Sequence, residues 1–205
     1  MNAIEKLVEH FSKFPGVGSR QARRFVYFLL GRSNGFMEEL AGGILELKKH
    51  IKVCQSCWRF FPSDFSGPLC LICSDSERDN GSLMVLERDV DLENVEKSGV
   101  FRGKYFVLGG SLPILEKSPE SKIRSKELFK TVKERAQNSG LAEVILATSA
   151  TTEGEHTADY LLNILNPHKE KYGLKITQLG RGLSTGTEIE YSDVDTIRNA
   201  LKNRQ

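Results

Sequence analysis

The sequence predicts an α+β protein built from several modules, and three observations carry that prediction. Apolar residues recur at helical spacing through the first fifty positions. All four cysteines lie between positions 54 and 73. From position 83 onward, short apolar runs alternate with amphipathic stretches, the pattern of strands and helices in a parallel α/β sheet. The expected division is a helical hairpin domain over 1–53, a small cysteine module over 54–77, an α/β domain with a parallel sheet over 78–172, and a C-terminal segment over 173–205 made of a Gly-rich loop, a short strand and a helix. A length of 205 residues accommodates such a division. The formal charge of +2 is too small for bulk attraction to a polyanion, so any nucleic-acid binding must come from a local patch. No apolar run reaches transmembrane length, so no membrane partner is expected.

The elements follow in chain order. In residues 2–14, Ile4, Leu7, Val8 and Phe11 form one helical stripe, which Phe14-Pro15-Gly16-Val17-Gly18 breaks. Ser19 is the expected N-cap of a second helix with Ala22, Phe25, Val26, Leu29 and Leu30 inward. After a turn over Gly31 to Gly35, a third helix runs to about His50 with Met37, Leu40, Ala41, Ile44 and Leu45 inward. Beyond Asp79-Asn80-Gly81 come a strand over Leu83 to Leu86, a helix near Leu92 to Ser98, a strand over Tyr105 to Leu108 and a charged helix over Ser125 to Asn138. A third strand over Val144 to Ala147 leads to a helix over Glu153 to Leu165, with Asn166-Pro167 as its stop signal. A fourth strand spans Leu174 to Leu179, and Glu188 to Asn203 reads as a short strand and then a helix using Val194, Ile197 and Leu201.

The cysteines are spaced Cys54-x2-Cys57 and Cys70-x2-Cys73, with twelve residues between the pairs. Two such knuckles bring four thiolates to one point, which suits a closed tetrahedral zinc site with a structural role. Other uses fit less well. Two disulfides need an oxidising compartment, yet Glu5, Lys6, Glu9 and Lys13 interrupt any apolar signal core in residues 1–14. A redox site of the thioredoxin type uses one CxxC, and the spacing is not that of an iron–sulfur cluster. The expected state is a cytoplasmic protein with reduced thiols and one structural zinc ion. Phe60, Phe61 and Phe65 are expected to pack around the metal.

Gly16 and Gly18 permit a tight hairpin with outward N–H groups, and the second helix begins there. A helix N-terminus and exposed amides favour phosphate. Arg20 and Arg24 lie one turn apart on one face, with Arg23 beside them. Pro15-Gly16-Val17-Gly18 followed by basic residues resembles the helix-hairpin-helix motif of DNA binders that contact phosphates without reading sequence. The competing reading is an ordinary αα-turn with solvated arginines.

Glu87 ends the first strand of the α/β part, and the third strand runs into Thr148-Ser149-Ala150-Thr151-Thr152-Glu153-Gly154-Glu155. Ligand sites in parallel sheets lie at such strand ends. The pattern resembles the Toprim domain of topoisomerases and primases, in which a glutamate after one strand, an Asp-x-Asp after another and a Glu-Gly-Glu hold magnesium. Glu87, Glu153 and Glu155 match its acids, but Ser149 and Thr151 stand in place of the two aspartates. Magnesium wants carboxylate oxygens, so the two replacements argue against metal-dependent phosphoryl transfer and hence against an enzyme. Acids in the first turn of a helix also serve its dipole, which is the plainer role for Glu153 and Glu155. Gly180 to Gly186 lacks the Gly-Lys-Ser/Thr ending of a P-loop; it reads as a sharp loop with Arg181 available to an anion. His10, His50, His156 and His168 form no ligand spacing and read as surface or helix-end residues.

The order of these parts is similar to that of the RecR family of bacterial recombination mediators, over essentially the whole chain. The anchors are Pro15-Gly16-Val17-Gly18, the cysteine quartet, Gly103-Lys104-Tyr105-Phe106-Val107-Leu108, Glu143-Val144-Ile145-Leu146-Ala147-Thr148, Glu153-Gly154-Glu155 and Glu188-Ile189-Glu190-Tyr191. The resemblance implies a non-enzymatic role in recombinational DNA repair, acting with RecO, and in some lineages RecF, to load RecA on single-stranded DNA coated by SSB. It implies dimers or ring-like tetramers assembled through the terminal regions, and a nucleoid-associated place in the bacterial cytoplasm. The family's basic hairpin positions fall on Arg20 and Arg24, and its zinc ligands on Cys54, Cys57, Cys70 and Cys73. Ser184 and Thr187 replace a proline and a glycine of the family's usual tail pattern, and Glu116 to Ser125 lacks its Gly-Pro helix start. The alternatives are a Toprim-type nuclease or primase-like enzyme, and a zinc-stabilised adaptor with incidental basic residues.

Overall fold

The computed structural model describes residues 1–116, 118–180, 182, 183, 186 and 188–203, excepting the Glu120 side chain. The chain divides into two compact units, Met1–Ile51 and Lys52–Gln205.

The first unit contains α1 (Ala3–Phe11), α2 (Ser19–Leu30) and α3 (Asn34–Leu47). Asn2 caps α1, its Oδ1 accepting from the Glu5 amide at 2.9 Å. Val8 of α1 and Ala22 and Val26 of α2 form the small core, with Ile4, Leu7, Phe11 and Val17 against it. The sequence expectation for this unit is corrected at three points. Gly18, not Ser19, is the N-cap of α2, and it supplies no side-chain cap. Phe25 and Leu30 are exposed, because the contact with α1 covers only a narrow stripe. The apolar face of α3 is not inward: this helix has no buried residue, and Leu40, Ile44 and Leu45 lie open. Helical periodicity identifies an apolar face but not whether its partner lies in the same chain.

The second unit is a four-stranded sheet, running in space from Lys104–Val107 through Ser82–Leu86 and Glu143–Ala147 to Lys175–Gln178, with helices on it and the cysteine module at one edge. Its strands are β3 (Ser82–Leu86), β4 (Lys104–Val107), β5 (Glu143–Ala147) and β6 (Lys175–Gln178), and every pairing is parallel. Leu83 sits opposite Lys104 and Val144, and Val144 opposite Ile176. Because β6 is hydrogen-bonded to β5, the fourth strand belongs to the sheet, although the expected division placed residues 173–205 apart from it. The connecting helices are α5 (Asp89–Ser98), α6 (Ser125–Asn138) and α7 (Thr152–Tyr172). One core joins Leu83, Val85, Phe106, Leu108 and Leu146 to Leu128 and Val132 of α6 and Leu161 and Leu165 of α7. Both faces of such a sheet are covered, which is why its strands read as continuous apolar runs rather than alternating ones.

Helix α7 passes through Pro167, where the sequence reading expected a stop. A proline inside a helix forfeits one hydrogen bond, at a cost of about 3 kcal/mol. Burial on both sides of it offsets that cost: Leu165 before it and His168 after it are interior, and the His168 ring stacks on Phe129 at 4.0 Å while its Nε2 donates to the Phe129 carbonyl at 3.1 Å. His168 is therefore a core residue, not a surface one. Beyond β6, the segment expected to be a strand is a 3₁₀ turn over Ile189–Tyr191, followed by α8 (Val194–Lys202) capped by Asp193. Arg181, Ser184, Thr185 and Thr187 of the Gly-rich loop lie outside the described residues.

Candidate functional site

The cysteine module folds around β1 (Ile51–Val53), β2 (Phe60–Pro62) and the short α4 (Leu71–Ser74). The four Sγ atoms all lie within 4.8 Å of one another, and Cys57 Sγ and Cys70 Sγ are 3.6 Å apart. A tetrahedral ion with Zn–S bonds of about 2.3 Å sets its sulfurs about 3.8 Å apart, so the spacing fits four ligands on one ion. None of the four is in a disulfide. Crowding splits their acidities: a hydrogen bond with Cys57 holds Cys54 well below the ordinary thiol range, and the same contact pushes Cys57 up. A divalent cation would draw all four toward thiolate. The Cys70 amide also donates to Cys54 Sγ at 3.4 Å, as expected beside a charged sulfur.

The module has little core of its own and shares that of the sheet. Cys54, Cys57, Phe61, Cys70 and Ile72 cluster with Met84, Leu86, Tyr105 and Val107. Of the three phenylalanines expected around the metal, only Phe61 is buried; Phe60 and Phe65 are exposed. Two polar ties complete the anchor. Val107, on edge strand β4, donates its amide to the Cys57 carbonyl at 2.8 Å. The buried Lys104 ammonium donates to the carbonyls of Ile72, Cys73 and Asp75 at 3.2, 3.2 and 2.7 Å. Sequence reasoning missed Lys104, although a lysine inside an apolar strand run is a visible irregularity.

At the hairpin, Val17 N donates to the Phe14 carbonyl at 3.0 Å, with Pro15 and Gly16 at the turn centre. Gly16 has φ +74°, the left-handed value that a type II turn places there and that glycine adopts freely. Gly18 is different: its backbone is extended, and a Cβ there would meet nothing within 4 Å, so neither conformation nor packing within the unit demands glycine. The first turn of α2 carries no acidic residue and no side-chain cap, leaving its amides and positive dipole end open. The three arginines are not equivalent. Arg23 is held by Glu5 through two contacts, 3.1 and 3.3 Å, which also raises its basicity. Among the described residues, the one side-chain hydrogen bond of Arg24 goes to the neutral Gln21, at 3.2 Å, and Arg20 makes none.

The acidic constellation is built quite differently from the cysteines. Glu87 is 1% exposed, and both its carboxylate oxygens are occupied: Oε1 accepts from the Ser149 amide at 3.1 Å, and Oε2 from the Ser149 hydroxyl at 2.7 Å. Glu153 and Glu155 sit exposed in the first turn of α7, which Thr151 caps by accepting from the Gly154 amide at 3.1 Å. Ser149 and Thr151, at the two positions where the Toprim pattern has aspartate, are thus each engaged in a hydrogen bond within the fold. Gly154 is required by packing, since a Cβ there would lie 2.0 Å from the Ser149 carbonyl oxygen. Among the described residues, the four cysteines are the one group of three or more potential ligands close enough to share a metal ion; Glu87, Glu153 and Glu155 do not gather into one.

A helix-hairpin-helix unit and a parallel sheet with a Glu-Gly-Glu helix start define a class: DNA-handling proteins that carry a Toprim domain. The chain matches the Toprim domain family over residues 81–180 and the RecR helix-hairpin-helix family over residues 4–47. It is 37% identical over 202 residues to recombination protein RecR of Lactococcus lactis subsp. lactis, covering 98% of this chain and 96% of that one. It is 38% identical over 202 residues to that of Cereibacter sphaeroides (98% and 96% covered), and 34% identical over 206 residues to that of Bdellovibrio bacteriovorus (100% and 97%). The chain belongs to the RecR family of recombination proteins. Among the described residues, no helix is long and apolar enough to cross a membrane.

Proposed function

We propose that the protein is a DNA-binding recombination mediator that breaks and makes no bonds itself. It acts with RecO, and in some lineages RecF, to help load RecA on single-stranded DNA coated by SSB, in the bacterial cytoplasm. The observation that carries this reading is the hairpin: an uncapped helix start, an unobstructed Gly18 and two arginines, Arg20 and Arg24, free of carboxylates. Gly16 and Gly18 offer backbone amides to a phosphate, and Arg20 and Arg24 neutralise its neighbours. Arg23 contributes less, because contact with DNA competes with Glu5.

Cys54, Cys57, Cys70 and Cys73 hold one structural zinc ion, which four thiolates favour over harder cations. The ion stiffens a module tied to β4, so that the zinc module and the sheet move together. Glu87 shapes the strand end through Ser149, and the exposed Glu153 and Glu155 contact partner proteins rather than magnesium. A Toprim-type nuclease or primase-like activity is disfavoured by Ser149, which already occupies both oxygens of Glu87.

A homo-oligomer, dimer or tetrameric ring, accounts for the open apolar surfaces near both ends of the chain. In the first unit these are Met37, Leu40, Ile44 and Leu45 of α3; near the C-terminus they are Ile189, Tyr191, Val194 and Leu201. Several hairpins on one assembly raise the effective concentration of a weak individual site.

The test is DNA affinity across a salt series for the Arg20→Ala/Arg24→Ala double variant. Affinity should fall for every sequence, and the slope of log K against log salt should lose about 1.5–2 units, the share of two phosphate contacts. Parent-like binding at every salt concentration would remove the hairpin from the DNA interface.

A further inference from the structure

The hairpin unit carries an aromatic side chain whose ring its fold leaves exposed. Helix α2 buries only Ala22 and Val26, whereas Tyr27 is 56% exposed. Its aromatic neighbours on the chain are all engaged: Phe25 packs edge-on against Phe11 at 5.9 Å, and Phe28 packs against Phe36 at 6.3 Å with Arg32 over its ring at 4.1 Å. No ring or cation covers Tyr27 among the described residues. Its hydroxyl instead lies beside Arg23, whose basicity it helps to raise after the larger effect of Glu5. Tyr27 closes one end of a shallow groove of about 400 Å³ that Ser19, Arg20, Arg23 and Arg24 complete. The groove follows α2 from its N-terminus, and the eight steps of helical rise from Ser19 to Tyr27 make it about 12 Å long. Phosphate-binding groups therefore line its start and middle, and an open ring face ends it.

We infer that Tyr27 stacks on an unpaired base while Arg20 and Arg24 hold the adjoining phosphates, which makes single-stranded DNA the preferred ligand of this hairpin. The inference rests on the hairpin being the DNA interface and adds which form of DNA it takes. The physical reason is accessibility. In a duplex every base face is covered by its neighbours, so a protein meets phosphates and groove edges, and an aromatic face gains nothing beyond them. In a single strand a base turns outward, and its stacking on an aromatic ring is worth enough to change affinity by about tenfold or more, whatever the base. Charge complementarity points the same way: the groove pairs an apolar ring with guanidinium groups, the combination that tracks a flexible backbone with exposed bases. Arg23 is a positioning residue here, held by Glu5 and flanking the Tyr27 hydroxyl.

The experiment compares dissociation constants of the full chain for a single strand and a duplex of equal length at one fixed salt concentration. Tyr27→Ala should weaken single-strand binding about tenfold and duplex binding by less than about twofold, while Tyr27→Trp retains single-strand affinity. Tyr27→Leu, which keeps the volume without the ring electrons, should behave like Tyr27→Ala and serves in its place if the alanine variant melts early. The Arg20→Ala/Arg24→Ala variant should lose affinity for both forms. Equal losses on both DNA forms for Tyr27→Ala, or no loss on the single strand, overturn the stacking role; if the arginine variant still loses affinity in that case, the hairpin interface itself stands. If the arginine variant binds both forms like the parent, the interface falls and the stacking role with it.

Discussion

The cysteine quartet and the acidic constellation are both sets of potential metal ligands, and they have opposite internal chemistry. The four sulfurs crowd within 4.8 Å of one another, and the Cys70 amide donates to one of them. Such an arrangement is unfavourable for four thiolates until a cation joins it. Glu87 lies equally deep, but a hydroxyl and an amide of Ser149 already satisfy it. The magnitudes separate the cases. An aspartate at position 149 would place a second charge within about 4 Å of Glu87, a repulsion of about 4 kcal/mol at an effective dielectric of 20, which a cation must offset. The serine replaces that repulsion with a charged hydrogen bond of about 1.5–3 kcal/mol. A ligand set is recognised less by its residue types than by whether its lone pairs remain unclaimed by the fold.

The sharpest way to break this contrast is to take the metal away. Chelation, or Cys57→Ser, should unfold the cysteine module and lower the thermal midpoint of the second unit by more than about 10 °C, read by calorimetry alongside metal content, since closed zinc sites contribute directly to folding. An unchanged melting curve after complete metal removal would reduce the quartet to four packed thiols. Next in size is Gly154→Ala, which forces a methyl into the Ser149 carbonyl and should cost about 3–4 kcal/mol in urea unfolding. Ser149→Asp should cost about 2–4 kcal/mol, and millimolar magnesium should return part of it; magnesium has no such effect on the parent protein. Smallest is Ser149→Ala, which leaves Glu87 one hydrogen bond short and should cost about 1–3 kcal/mol with no magnesium response. A magnesium-stabilised parent protein would mean that the acids still form a working site.

Local signals in the sequence reach much of this architecture. The cysteine spacing announces its cluster because two knuckles encode the geometry within twenty residues. The strand–helix alternation likewise announces the parallel sheet, and Pro15-Gly16 the hairpin turn. What stays hidden depends on contacts distant in sequence. Ser149 and Glu87 are separated by 62 positions, so the loss of an aspartate is visible in the sequence but the gain of a hydrogen-bonded pair is not. Helix α7 continues past Pro167 because His168 finds Phe129, 39 residues earlier, an interaction that no local stop signal contains. Helix α3 has the periodicity of a buried helix and yet lies open, since apolar spacing marks a face without fixing what, if anything, packs on it. The unequal surroundings of the three arginines follow from Glu5, on the preceding helix, rather than from their spacing.

The most direct test of the central claim, a zinc-stiffened DNA binder whose acidic site is chemically silent, is native mass spectrometry of the full chain with a single-stranded oligonucleotide and magnesium. One zinc ion per chain, an oligomer, and an oligonucleotide of unchanged mass riding on it are the expected result. A zinc-free monomer, or an oligonucleotide shortened in the presence of magnesium, would contradict it.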